Sequence, residues 1–280
     1  MKTIISKLVL FTFILGLISC EKVIDLELNT GEPTLVVEGN IDFNPEKTID
    51  TVSVKLTMTT GYYEKEIPKV NNATVWIEDG KGNRYTLIEV DQTGEYISTE
   101  VKKDFVNNKY ILHIEHNNQV YEAVEELITT PEIIKIEQSK INIMGKDLYQ
   151  IKSYFQDTPI EGKRLNYYFN YFQHKALNPE IRVQSNEFSK GNVIDVTFLD
   201  IDEKYQVGDT VTLDFHQISR NYYDFLHMLS ASISNGGGPF QAPIAQIKGN
   251  VKNLTTPGKD AKGYFRVTER RTISHTIYEE

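Results

Sequence analysis

Alternation of apolar and polar positions dominates the chain from Thr34 to about Glu126. Val52, Val54, Leu56 and Met58 alternate with Thr51, Ser53, Lys55, Thr57 and Thr59, the pattern of a strand with one buried and one solvated face. Residues 74–77 and 84–90 predict two more strands. Between them lies Glu78-Asp79-Gly80-Lys81-Gly82-Asn83, whose Asp-Gly and Gly-Asn steps supply turn chemistry. Residues 110–116 and 119–124 face each other across Asn117-Asn118, a tight hairpin because Asn tolerates positive φ. Short strands with turns at this spacing predict an immunoglobulin-like antiparallel sandwich over residues 34–130, without the cysteine pair of antibody domains.

Thr129-Thr130-Pro131 marks the expected boundary, and residues 131–280 form the second predicted domain. Its strands are expected at 133–137, 148–155, 165–172, 193–199, 210–215, 263–267 and 272–277. One helix interrupts them, at about 219–234. Ser219 is its N-cap and Ile218 staples to Tyr223, while Tyr222, Phe225, Leu226, Leu229 and Ile233 share one apolar face. Asn235-Gly236-Gly237-Gly238-Pro239 ends it. The fold class predicted is mainly β: two antiparallel, immunoglobulin-like β-sandwich domains, the second with one inserted α-helix.

The N-terminus follows a different pattern. Lys2 and Lys7 precede an apolar run over residues 8–18 that is interrupted only by Thr12 and Gly16. The run is shorter than the ~20 residues a membrane span needs and fits the apolar region of a secretory signal. It ends in Leu17-Ile18-Ser19-Cys20, which resembles a bacterial lipobox, with Cys20 as the lipidated residue. This predicts a signal peptide over 1–19, a tether over 20–33 and attachment to a membrane through acyl chains, each buried CH₂ contributing about 0.8 kcal/mol. Glu21, Asp25 and Glu27 follow the anchor and read either as a surface-export signal of Bacteroidota or as a solvated tether.

Composition narrows the function. The 280 residues carry 30 Lys+Arg and 39 Asp+Glu. Removing residues 1–19 takes away two lysines and no acid, leaving 28 basic against 39 acidic side chains, a balance of −11. That acidity argues against nucleic acid as a partner. One cysteine, already assigned to acylation, leaves no disulfide framework, thiolate zinc site or cysteine nucleophile. His113 and His116 lie three apart on a predicted strand and so point to opposite faces. No metal site, cofactor motif or Gly-x-Ser-x-Gly elbow is found, and no motif selects a carboxylate pair for glycoside hydrolysis. The protein is therefore expected to be non-enzymatic and without a cofactor. Asp50-Thr51-Val52 and Asp209-Thr210-Val211 resemble the O-glycosylation triplet of Bacteroidota at Thr51 and Thr210.

Aromatic residues carry the remaining signal. Tyr167, Tyr168, Phe169, Tyr171 and Phe172 put rings on both faces of one strand. Tyr167, Tyr168 and Tyr171 are candidate contacts for a ligand or partner, because Tyr joins apolar area to a hydrogen-bonding tip; packing against the core and the helix is the competing reading. Phe240 follows a triple glycine on a predicted loop and is the fourth candidate contact.

Together the residues resemble a known family. Ser19-Cys20-Glu21-Lys22-Val23-Ile24-Asp25-Leu26 followed by Leu35-Val36-Val37-Glu38-Gly39 is similar to the opening of a Bacteroidota lipoprotein family, domain of unknown function 4249. Val207-Gly208-Asp209-Thr210-Val211, Tyr222-Tyr223-Asp224-Phe225-Leu226, Gly238-Pro239-Phe240, Gly249-Asn250-Val251 and Gly263-Tyr264-Phe265 resemble its later landmarks in order. The resemblance implies no reaction. It implies an outer-membrane accessory lipoprotein working with a TonB-dependent transporter. A surface glycan or peptide hydrolase, or a structural or adhesive module, is the alternative expectation.

Overall fold

The computed structural model describes residues 31–279, apart from 62–63, 159–161, 163–164, 176–178 and 235–246. The fold is mainly β with antiparallel sheets and, among the described residues, one α-helix.

The first half forms β1 (Leu35–Phe43), β2 (Ile49–Met58), β3 (Thr74–Asp79), β4 (Arg84–Val90), β5 (Glu95–Lys102), β6 (Lys109–His116) and β7 (Gln119–Glu126). Val52, Val54 and Leu56 of β2 turn inward, as their alternation predicts. Asn117 and Asn118 take φ of 48° and 58° in the β6–β7 hairpin. The nine-stranded ladder orders β7-β6-β3-β4-β5-β2-β1 and is completed at its two ends by short β14 (Lys252–Asn253) and by β15 (Lys262–Glu269). Its core packs Val37, Ile41 and Phe43 against Ile77, Leu112, Tyr110 and Phe265.

The second half contributes β8 (Ile133–Ile143), β9 (Lys146–Gln156), β10 (Tyr167–His174), β11 (Glu180–Ser185), β12 (Val193–Leu199), β13 (Thr210–Ile218), α1 (Arg220–Ser234) and β16 (Arg271–Thr276). Sheet β12-β9-β8 and sheet β11-β10-β13-β16 enclose a second core of Phe155, Tyr168, Phe172, Phe198 and Phe215. The other side of β10 and β13 packs against α1, where Phe169 and Ile218 meet Tyr222, Phe225 and Leu226. Ser219 Oγ accepts from the Tyr222 N–H at 3.2 Å, the expected N-cap.

The boundary expected near residue 130 is crossed by the returning chain. β15 pairs with β1 in parallel, from Val36↔Lys262 to Phe43↔Glu269, and β14 pairs with β7. The second half therefore completes the sheet of the first. Phe265 and Val267 of β15 enter the first core, whereas Tyr264, Arg266 and Thr268 are buried on its other side, as expected of a strand covered on both faces.

Close backbone approach explains two glycines here. Gly263 has φ +85°, and a Cβ there would lie 2.0 Å from the Val37 carbonyl oxygen. A Cβ on Gly249 would lie 1.8 Å from the Gly263 carbonyl oxygen. Asn250 then pairs with β15 as a strand would: Phe265 N–H donates to its Oδ1 at 2.9 Å and its Nδ2 donates to the Phe265 carbonyl at 2.7 Å.

Candidate functional site

Alternation along β1 sends Val36, Glu38, Asn40 and Asp42 away from the first core. On the adjacent β15 the residues with the same outward direction are Tyr264 and Arg266. Opposite them stand Phe169 and Tyr171 of β10, Asp214 and His216 of β13, and the α1 face formed by Tyr222, Phe225, Leu226 and Leu229. These elements enclose a cavity of about 900 Å³, within the usual range for small-molecule sites. Its wall is mostly aromatic and aliphatic, with Ile181 and Ile247 adding to it.

A buried ion pair lies at the Asp42 end. The Arg266 guanidinium donates to both Asp42 carboxylate oxygens, at 2.7 and 2.9 Å from Nη2 and 3.2 Å from Nε. Its Nη1 donates to the Tyr222 hydroxyl at 3.0 Å, and its Cζ lies 5.2 Å from the centre of the Phe169 ring and 5.3 Å from that of Tyr222. Bidentate geometry and stacking favour Arg over Lys at such a position. Burial alone raises the Asp42 pKa, but the charge and hydrogen bonds of Arg266 outweigh it and hold the carboxyl below its ordinary value. Asp42 in turn keeps Arg266 charged despite burial.

His216 completes this end. It is 2% exposed, and burial pushes its imidazole down to about 3 against the opposing pull of Asp42. The ring is neutral at neutral pH. Its Nδ1 lies 3.7 Å from Asp42 Oδ1, too far for a hydrogen bond, and has no partner among the described residues.

Just beyond the cavity, the junction of the two halves is polar and closely bonded. Buried Lys103 pairs with Glu269 at 3.2 Å and donates to the Asn44 and Pro45 carbonyls. Thr130 Oγ1 donates to the Glu269 carbonyl and accepts from the Gln217 N–H.

The expected contact residues separate. Tyr171 lines the cavity, its hydroxyl donating to Gln173 Oε1 at 3.0 Å. Tyr167 is half-buried beside α1, its ring 4.7 Å from that of Tyr223. Tyr168 points the other way, fully buried between the two sheets of the second half, where its hydroxyl donates to buried Asp157; the pleat assigns it to the core, and it is not a surface contact. Cys20 and Phe240 lie outside the described residues. Thr51 and Thr210 are both exposed.

Asp42, His216, Arg266 and the α1 aromatics were not singled out from sequence as a site. One signal was present for Arg266: a guanidinium flanked by Tyr264, Phe265 and Val267 in a strand must find a buried partner.

A search of curated proteins finds no match. Among solved structures, a DUF4785 family protein of Legionella pneumophila is 10% identical with TM-score 0.24, covering 68% of this chain and 54% of that one. The chain thus spans about half the length of that relative. A cytokine receptor complex chain is 12% identical with TM-score 0.25, covering 67% of this chain and 86% of that one. Bovine butyrophilin is 10% identical with TM-score 0.21, covering 66% and 92%. The family model described as "Domain of unknown function (DUF4249)" matches residues 21–274, essentially the whole body described above, and the chain belongs to that family.

Proposed function

We propose that this chain is a non-enzymatic, lipid-anchored outer-membrane protein of Bacteroidota type, which binds a ligand as the partner of a TonB-dependent uptake system. The observation that carries the reading is the cavity of about 900 Å³ with its mostly apolar wall and a few polar groups, including the Asp42–Arg266 pair, the form of a binding site. Asp42, a carboxylate of the cavity lining, is committed to Arg266 and held ionised. An acid held ionised and committed to a guanidinium is not a proton donor near neutral pH. Attachment rests on the Ser19-Cys20 lipobox, and acyl chains there keep the body at the membrane surface.

Purification of the full chain from detergent-solubilised membranes of its host tests the proposal. The expected result is an acylated Cys20 at the mature N-terminus and a TonB-dependent transporter that co-purifies. A Cys20 free of acyl chains overturns the anchor. A preparation without any transporter, under conditions that keep known transporter–lipoprotein pairs intact, overturns the partnership.

A further inference from the structure

We infer that this cavity receives an organic carboxylate: an apolar body bearing one anionic head group, which Arg270 receives. The inference rests on the ligand-binding reading above and specifies the chemistry of the ligand.

Partnering among the charged groups of the lining is one-sided. All three acids are engaged. Glu38 stands 3.8 Å from Lys55, Asp42 is bonded by Arg266, and the Thr272 hydroxyl donates to Asp214. Of the three bases, Arg266 alone is engaged. The side chains of Lys262 and Arg270 line the cavity with no hydrogen-bond or ion-pair partner among the described residues. Lys55 offsets Glu38 from outside the lining, so the lining and its ion-pair partners carry one positive charge in excess. Such an excess in a partly enclosed, low-dielectric space favours an anion.

Arg270 is placed to take the head group. Its backbone N–H donates to the Phe43 carbonyl at 2.9 Å, which fixes it at the end of β1 beside Asp42, while its side chain stays exposed at the cavity wall. Its charge reaches inward: after burial and the Asp42–Arg266 pair it is the next influence on His216, and it acts on Asp42 as well. Two guanidiniums therefore gather around the Asp42 carboxylate, and Arg266 is already committed to it. On its outer side Arg270 borders Glu46 and Glu132, but Glu132 is the partner of Arg271 at 3.9 Å and neither acid pairs with Arg270. A free guanidinium fork matches the two oxygens of a carboxylate.

A buried polar atom at the same end adds a second contact. His216 is 2% exposed, lines the cavity and leaves Nδ1 without a partner among the described residues. A neutral imidazole carries its proton on either nitrogen, so Nδ1 can donate to a head-group oxygen. An ammonium head would meet two guanidiniums, and an alcohol would gain nothing from the charge of Arg270. Between the ends, Phe169, Tyr171, Phe225, Leu226 and Leu229 offer aromatic and aliphatic surface for the body. The Val36 end is polar again, with Lys262, Glu38 and Ser232, so the apolar body is confined to the middle.

Photolabelling of the full chain in its own membranes tests the inference with three short benzophenone probes: 4-benzoylbenzoate, 4-benzoylbenzyl alcohol and 4-benzoylbenzylammonium. The carboxylate is expected to label peptides containing Phe225–Leu229 or Tyr264 at least about tenfold more than either of the others, and excess biphenyl-4-carboxylate should displace it. Arg270→Gln should abolish that preference, Arg270→Lys should keep most of it, and Lys262→Gln should leave it in place; unchanged melting temperatures confirm that the variants fold. Loss of the preference in Lys262→Gln but not in Arg270→Gln overturns the assignment to Arg270. Equal labelling by the three probes, or a preference for the alcohol or the ammonium, overturns the carboxylate inference and leaves the binding reading standing. Absence of any displaceable labelling in the cavity overturns both.

Discussion

Replacing Arg266 by Met tests whether the ion pair beneath the cavity is a structural unit. The substitution keeps most of the apolar stem and removes three hydrogen bonds to Asp42 and one to Tyr222. Asp42 would be left as a carboxylate whose side chain is only 19% exposed, without its counter-ion. Breaking a buried pair from one side costs about 3–5 kcal/mol because the remaining charge is uncompensated. The partial exposure of Asp42 places the expected loss near the lower end, about 3 kcal/mol. The double variant Arg266→Met/Asp42→Leu removes both charges and fills the space with apolar atoms, so it is expected to recover most of that loss. Urea unfolding of the purified chain, followed by near-ultraviolet circular dichroism of the tyrosine clusters, measures all three proteins. The reasoning fails if the single variant loses less than about 1 kcal/mol, the range of an exposed pair. It also fails if the double variant is no more stable than Arg266→Met.

Three further outcomes are expected. Gly263→Ala places a Cβ 2.0 Å from the Val37 carbonyl at φ +85°, and should abolish accumulation of folded protein. Gly145→Ala, with φ +82° and open space around it, should cost only about 1 kcal/mol, and soluble yield with melting temperature separates the two. His216, held at about 3 by burial, binds no proton in the native state between that value and its ordinary 6.5, while the unfolded chain does. Its contribution is thus fully present above pH 6.5 and is lost as pH falls, by up to about 1.4 kcal/mol per unit. His216→Phe should flatten the fall in urea midpoint between pH 6.5 and 5, and an unchanged slope would refute the assignment. Tyr168→Phe removes one donor from buried Asp157 and should cost about 1–3 kcal/mol of stability, read as a lower urea midpoint.

Local elements were legible in the sequence because their signals are local. Alternation placed Val52, Val54 and Leu56 inside, the Asn117-Asn118 turn took the positive φ it predicted, and Ser219 capped the helix over Arg220–Ser234. The aromatic strand was legible in part. Its pleat divides Tyr168 and Phe172 from Tyr167, Phe169 and Tyr171, but alternation does not tell which face is left with open space beside it. That depended on α1 and on β15, which arrives from far along the chain. The parallel pairing of β15 with β1 leaves no local pattern, since nothing near Lys262 encodes Val36 as its neighbour. The same non-locality hid the site: Asp42, His216, Tyr222 and Arg266 come from β1, β13, α1 and β15, and each alone resembles an ordinary strand or helix residue.

The return of β15 also explains why a cavity forms where it does. A strand appended to β1 must satisfy two surfaces, and its alternation divides the work: Phe265 and Val267 fill the first core, while Tyr264 and Arg266 face α1 and β10. Large side chains on that second face lie beside the outward residues of β1, Val36, Glu38, Asn40 and Asp42. The space beside them is the cavity. Its Asp42 end belongs to the same strand that bonds the two halves of the fold, because Glu269, three residues beyond Arg266, pairs with Lys103 and anchors Thr130. A ligand that shifts Arg266 or Asp42 would touch the strand that joins the halves, which predicts coupling between the cavity and that junction. Hydrogen exchange is the measurement that follows from this: ligand in the cavity should slow exchange at Thr130 and Gln217, whose amides bond to Glu269 and Thr130, as well as along α1.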